Sequence, residues 1–167
     1  MKRKLALAVM AVVALFGLQA NAQNVMQKGT SIVSGSLGIT SSSLPIYASY
    51  DYGVVDNLFQ SPDAALSVGA LGGVVLGKHT LGYVVGPRVA MHYHFIPELD
   101  TYFSLMLGAY GYHYKDKKEG VDINKWTHDF DWGTHIGARY FFTPTVGMFL
   151  ELGYGYSYAN VGLSFKL

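Results

Sequence analysis

The sequence predicts an all-β protein, an eight-stranded antiparallel up-and-down transmembrane β-barrel, and three observations carry that expectation. From residue 29 onward, eight segments of about 10–14 residues alternate side-chain character with a period of two, matching the ~9–11 residues of a membrane-spanning strand. Charged residues make up only 14% of the chain and aromatics another 14%, alongside 20 glycines, so the outward faces hold too few charges to suit water. After the first segment, no stretch approaches the ~18 apolar residues of a membrane helix. A closed barrel is then the arrangement that satisfies every backbone hydrogen bond inside lipid.

Residues 1–22 form a separate unit. Lys2, Arg3 and Lys4 precede an apolar run over 5–18 and then Ala20-Asn21-Ala22, the pattern of a secretory signal peptide with a small-residue cleavage site. Cleavage after Ala22 is expected, leaving 23–167 as the barrel domain. It removes three of the twelve Lys and Arg, and the remaining nine face eleven Asp and Glu. That balance gives no footprint for nucleic acid. The chain has no cysteine, which excludes disulfides, thiolate metal sites and a cysteine-linked lipid anchor.

The first strand segment, 30–40, sets Val33, Leu37 and Ile39 on one face and Ser34, Ser36 and Thr40 on the other, before a turn at 41–43. The second, 44–54, points Ile46, Tyr50 and Tyr52 outward and Tyr47, Asp51 and Gly53 inward. Pro45 stands at its start, where a missing amide donor is tolerated. The 55–65 stretch is long for a turn. The third segment, 66–77, sets Leu66, Val68, Val74 and Leu76 against Ser67, Gly69, Gly73 and Gly77. After a turn at 78–80, the fourth alternates over 81–95 and puts Arg88, His92 and His94 on its polar face. Pro87 in its middle cannot donate to the ladder, which predicts a bulge or local distortion.

A turn is expected at 96–100, around Pro97. The fifth segment, 101–114, carries Phe103, Leu105 and Leu107 outward and Tyr102, Ser104, Tyr110, Tyr112 and Tyr114 inward. The charged stretch 115–127 is expected to be an external loop, with Lys117, Lys118 and Trp126 as its candidate contact residues, because exposed loops on rigid scaffolds are where binding usually resides. The sixth, 128–142, sets Trp132, Ile136, Tyr140 and Phe142 against His135, Arg139 and Phe141. A turn at 143–145 leads to the seventh, 146–155, with Met148, Leu150, Leu152 and Tyr154 opposite Phe149 and Glu151. In the last, 158–167, Ala159, Val161, Leu163, Phe165 and Leu167 oppose Asn160, Gly162, Ser164 and Lys166.

Volume and charge decide which face is inside. The lumen of an eight-stranded barrel is just wide enough to be filled by side chains, so only the small, polar face fits there. A soluble barrel of lipocalin type would need Lys and Glu outside, and these strands lack them. Parity then places Tyr93, Phe95, Phe103, Tyr140, Phe142 and Phe165 outward at one end and Tyr83, Trp132 and Tyr154 outward nearer the other. Two aromatic girdles are what the two membrane interfaces select for.

Four lumen residues form the expected charge network: Asp51, Arg88, Arg139 and Glu151. Arg139 and Glu151 lie on neighbouring strands folded about Pro144, opposite or diagonal, and a charge in a narrow lumen needs a partner. His92 and His94 share a face, with His113 and His135 elsewhere, but no carboxylate or cysteine is grouped with them in sequence, so neither a metal site nor a cofactor is expected. No serine stands in sequence beside a histidine as a hydrolase would need, and no catalytic residue is assigned.

The stretches 52–58 (Tyr-Gly-Val-Val-Asp-Asn-Leu), 137–144 (Gly-Ala-Arg-Tyr-Phe-Phe-Thr-Pro), 151–155 (Glu-Leu-Gly-Tyr-Gly) and 160–165 (Asn-Val-Gly-Leu-Ser-Phe) resemble small single-domain outer-membrane β-barrel proteins of the OmpA/OmpX type. The resemblance covers the whole chain from residue 23. It implies a Gram-negative outer membrane, with membrane lipid and lipopolysaccharide around the barrel, termini in the periplasm and the barrel assembly machinery as a partner during biogenesis. Leu163, Phe165 and Leu167 then stand where that machinery reads its signal, although such families usually end in an aromatic and this chain ends in leucine. The expected role is structural or a surface interaction of the adhesion kind, with an extracellular ligand that the sequence leaves open. A narrow passive channel for small solutes or lipids is the first alternative, and a lipid-modifying enzyme the second.

Overall fold

Eight antiparallel strands pair in chain order, and the last closes on the first. They are β1 (Ser31–Ile39), β2 (Ser43–Val55), β3 (Ala64–Gly77), β4 (Thr80–Ile96), β5 (Leu99–Lys118), β6 (Val121–Phe141), β7 (Val146–Tyr154) and β8 (Ala159–Lys166). This computed structural model describes residues 24–41, 43–77, 80–118 and 121–167. The expected signal peptide lies outside the described residues. Closure runs from Ile32 opposite Lys166 to Ile39 opposite Ala159, which leaves neither β1 nor β8 with an open edge along that seam.

The period-two faces fall as volume and charge require. Outward residues such as Leu37, Ile46, Val85, Leu107, Leu150 and Leu163 are exposed, whereas Asp51, Arg88, His92, Arg139 and Glu151 are buried. So continuous an exposed apolar surface exceeds what a water-soluble monomer shows and suits hydrocarbon. Of the girdle aromatics, Tyr93, Phe95, Phe103, Tyr140 and Phe165 are exposed at the end where β1 starts and β8 finishes, as are Trp132 and Tyr154 toward the other. Phe142 and Tyr83 are partly covered.

The strand limits differ from expectation in informative places. Leu99 and Asp100 belong to β5, so the turn after β4 is only Pro97 and Glu98, and Asp100 joins the lumen. Pro87 distorts the ladder locally, as expected, but without a bulge. Its strand keeps one register with β5 on either side, and only the pairings of Gly86 and Pro87 are missing from that ladder, while both stay paired with β3. The register shifts lie instead at Gly53/Val55 and at His94/Ile96. Residues 55–65 hold a short 3-10 turn at Leu58–Gln60, with Asn57, Phe59 and Gln60 at positive φ.

The largest correction concerns 115–127, which is no loop. β5 and β6 pair with each other as far as Lys118 opposite Val121. The pairing of β5 with β4 stops at Tyr114, and that of β6 with β7 begins only at Thr134. The two long strands therefore rise beyond the barrel as a hairpin. Its register sets Lys117 opposite Asp122, an opposite-charge arrangement that favours a ladder, and Val121, Ile123, Trp126 and Thr127 are strand-forming residues. The side chains of Lys117, Lys118 and Trp126 lie outside the described residues.

Candidate functional site

The lumen is filled in layers, because each inward residue on one strand meets inward residues at the same height on the others. At the end where β1 starts and β8 finishes, Val25, Met26, Ile32, Ala65 and Phe141 form an apolar cluster. Here the segment preceding β1 folds back into the barrel mouth. Gly29 N–H donates to the Gly53 carbonyl at 2.9 Å, and Met26 N–H donates to His94 Nε2 at 3.1 Å. At the other end Tyr47, Leu71, Val84, Met106, Tyr110 and Tyr156 form a second apolar cluster.

Between these clusters lies an ionic layer. Arg88 reaches Glu151 Oε1 at 2.8 Å and, through Nε, Asp51 Oδ1 at 3.3 Å. Arg139 reaches Asp51 Oδ2 at 3.2 Å and Asp100 Oδ2 at 3.3 Å. All four expected network residues thus meet, but not in the expected pairing. Register places Glu151 opposite Gly137 and Arg139 opposite Phe149, so the two lie diagonally, and each binds residues further round the barrel. Asp51 bridges the two guanidinium groups, and Asp100 is a member that sequence reasoning assigned to a turn.

Tyr102 lies between the arginines. Its ring centroid is 5.4 Å from the Arg88 guanidinium and 5.0 Å from that of Arg139, within cation–π range. Its hydroxyl donates to Glu151 Oε1 at 2.9 Å. The other oxygen of Glu151 accepts from Asn160 Nδ2 at 3.0 Å and from the Tyr156 hydroxyl at 3.4 Å. Burial first, and then the Glu151 carboxylate, push the Tyr156 phenol well above its ordinary range, so it stays a donor.

The histidines divide. His92 Nδ1 lies 2.8 Å from Asp100 Oδ1 and its Nε2 lies 2.8 Å from the Ser67 hydroxyl. This serine–histidine–aspartate row has the spacing of a hydrolase triad. All three residues are at most 1% exposed, and strand backbone surrounds Ser67. His94 accepts from Met26 N–H at Nε2 and faces the Asp63 carbonyl through Nδ1. The proton is thus on Nδ1, so the 3.6 Å approach of Nε2 to Asp100 is not an ion pair. His135 stacks on Tyr156 at 4.1 Å and binds the Ser157 carbonyl at 3.0 Å. Among the described residues, no group of three His, Asp or Glu is arranged to hold a metal ion.

Leu163, Phe165 and Leu167 are exposed on the outer surface of β8 and just beyond it. Tyr112 faces inward as expected, with its ring over Gly82, and at the mouth, where it lines a cavity with Tyr156 and Tyr158, it is 42% exposed.

No protein-family model matches the sequence, and no curated protein matches it. Among solved structures, the chain is similar to the N-terminal β-barrel domain of Pseudomonas aeruginosa OprF, with a TM-score of 0.59 and 16% identity over 84% of this chain and 98% of that one. It is also similar to Ail, the attachment invasion locus protein of Yersinia pestis, with a TM-score of 0.56 and 10% identity over 84% of this chain and 96% of that one. A chain from a de novo design of transmembrane β-barrels gives a TM-score of 0.54 and 17% identity over 85% of this chain and 98% of that one. The fold is that of the small outer-membrane eight-stranded barrels. A designed barrel fits about as well as natural ones, so this likeness carries architecture and leaves function to the site.

Proposed function

We propose that the chain resides in the outer membrane of a Gram-negative bacterium as a closed barrel that conducts nothing, with a structural or surface-interaction role of the adhesion kind. One observation carries the reading. Asp51, Arg88, Asp100, Arg139 and Glu151 cross the lumen as one bonded layer, and none of them is more than 4% exposed. A solute would have to part several buried ion pairs to pass, and removing one partner of such a pair typically costs ~3–5 kcal/mol. The apolar outer face supports burial in lipid, with lipopolysaccharide as its neighbour and the barrel assembly machinery as the route there. With the start of β1 and the end of β8 facing the periplasm, the β5–β6 hairpin projects from the cell.

Current across planar lipid bilayers tests the reading. Residues 23–167, shown to be folded by a heat-dependent gel shift, are expected to give no steady openings. Glu151→Gln should lower the unfolding temperature and remain silent, because Arg88 keeps Asp51 and the layer stays filled. Stable conductance in the unaltered protein would establish the channel instead, and conductance in the variant alone would make Glu151 a gate.

The Ser67–His92–Asp100 row favours a second reading, a hydrolase. Attack by Ser67 would need a substrate path and amide donors aimed at the developing oxyanion, and Ser67 is 0% exposed among paired strands. We therefore read the row as a hydrogen-bonded support for Asp100. A fluorophosphonate probe should leave the folded protein unlabelled. Labelling that disappears in Ser67→Ala would establish a reactive serine.

A further inference from the structure

We infer that the outer mouth of the barrel is a binding site for a neutral carbohydrate, roughly one or two pyranose rings in size. This inference rests on the proposed reading, since it requires that end to face away from the cell. A cavity of about 320 Å³ opens there between the β1–β2 turn, β5 and the β7–β8 connection, at the small end of the ~300–1,000 Å³ range of ligand pockets. Among the described residues that line it, five are tyrosines, four are serine or threonine, and none is charged.

That composition selects a ligand class. A pyranose has a C–H face that packs on an aromatic ring and a rim of hydroxyls that exchange hydrogen bonds with Tyr, Ser and Thr. A sulfated or phosphorylated ligand would find no cation among these described side chains. An apolar peptide would desolvate the hydroxyls without pairing them, which is costly.

The floor is formed before any ligand arrives. Tyr47 meets Tyr156 edge to face with centroids 5.1 Å apart, its hydroxyl donates to the Tyr156 carbonyl, and His135 stacks behind Tyr156. Gly155, at φ 106°, shapes the connection that delivers Tyr156, Ser157 and Tyr158, and a Cβ there would lie 2.5 Å from Gly133 Cα. Thr40 is tied to Ser43, and Ser157 to Asn160. A preset wall reduces the ordering cost of binding. Tyr112, whose ring packs over Gly82, and Tyr158 are 42% and 58% exposed; they come from different elements, and their exposed faces at the rim are placed to cover a ring.

Isothermal titration of the folded protein with maltotriose, lactose and chitotriose tests the site, with neutral dextran and dextran sulfate as a matched pair. At least one neutral sugar is expected to bind, and Tyr112→Ala and Tyr158→Ala should each weaken it roughly tenfold. Both side chains are exposed, so the variants should keep the heat-dependent gel shift that reports folding. Competition by purified lipopolysaccharide would assign the natural sugar to the protein's own membrane, and no competition would assign it to another surface; either supports the site. Failure of every neutral sugar to bind, binding unchanged in both variants, or tighter binding of dextran sulfate than of dextran would overturn it. If the protein that fails to bind is folded and conducts no current, the closed-barrel reading stands, whereas steady conductance would remove that reading itself.

Discussion

Arg139→Met is expected to destabilise the folded barrel by about 3–5 kcal/mol, measured by urea unfolding in lipid vesicles and read from the loss of heat-resistant gel mobility. Methionine comes close to the arginine stem in length and removes the guanidinium. Asp51 then keeps Arg88, but Asp100 is left with His92 alone as its close partner. A buried carboxylate stripped of its cation costs far more than the ion pair is worth against an apolar replacement. The intact layer already opposes two arginines with three carboxylates, Asp51, Asp100 and Glu151, so losing one cation worsens an existing imbalance. Arg139→Met combined with Asp100→Asn should recover part of the loss, because the amide is neutral and keeps an acceptor for His92. If Arg139→Met unfolds at the unaltered urea concentration, the layer is not what holds the lumen shut.

The alternation of the strands was legible because a lumen filled by side chains and an outer face in lipid impose opposite demands at every second residue. Tyr47, Asp51, Arg88, Arg139 and Glu151 could be placed inward from parity and charge alone. Their partners could not. Arg88 with Glu151, and Arg139 with Asp51, join strands that are not neighbours, and the stagger that brings such strands to one height is set by barrel closure, which a period of two does not encode. Asp100 and the Ser67–His92 contact were closer to reach. They lie diagonally across adjacent ladders, where Ser67 faces Ala90 and His94 faces Asp100. Pro97 concealed them, because a turn drawn as far as residue 100 removes Asp100 from its strand.

The hairpin at 115–127 failed for a different reason. Charge density reports contact with water, and a projecting ladder is as wet as a loop. The strand signal was present in Val121, Ile123 and Thr127, with Lys117 and Asp122 in facing positions. Val25 and Met26, two apolar residues ahead of the first strand, were likewise the visible sign of the segment that folds back into the mouth.

Tyr102→Ala should cost about 3–5 kcal/mol in the same unfolding measurement, as aromatic-to-alanine changes in packed interiors do, while Tyr102→Phe should cost less, about 1.5–2 kcal/mol. The phenylalanine variant loses one hydrogen bond to a carboxylate that keeps Arg88 and Asn160, which places the loss at the low end of the ~1.5–3 kcal/mol of a hydrogen bond to a charged group. The alanine variant also removes the ring that both guanidinium groups approach. The sequence makes room for that ring at Gly137, which stands opposite Tyr102 in the ladder. A Cβ on Gly137 would lie 2.3 Å from Tyr102 Cζ, so Gly137→Ala alone should be destabilising by about 1–3 kcal/mol through overpacking. In the Tyr102→Ala background the same methyl enters vacated space and should be neutral or stabilising. The coupling between the two positions is therefore expected to be favourable and within the ~0.5–3 kcal/mol of residues in contact. Simple additivity would mean that Tyr102 contributes through its ion contacts alone, and that Gly137 is glycine for a reason other than the ring lying over it.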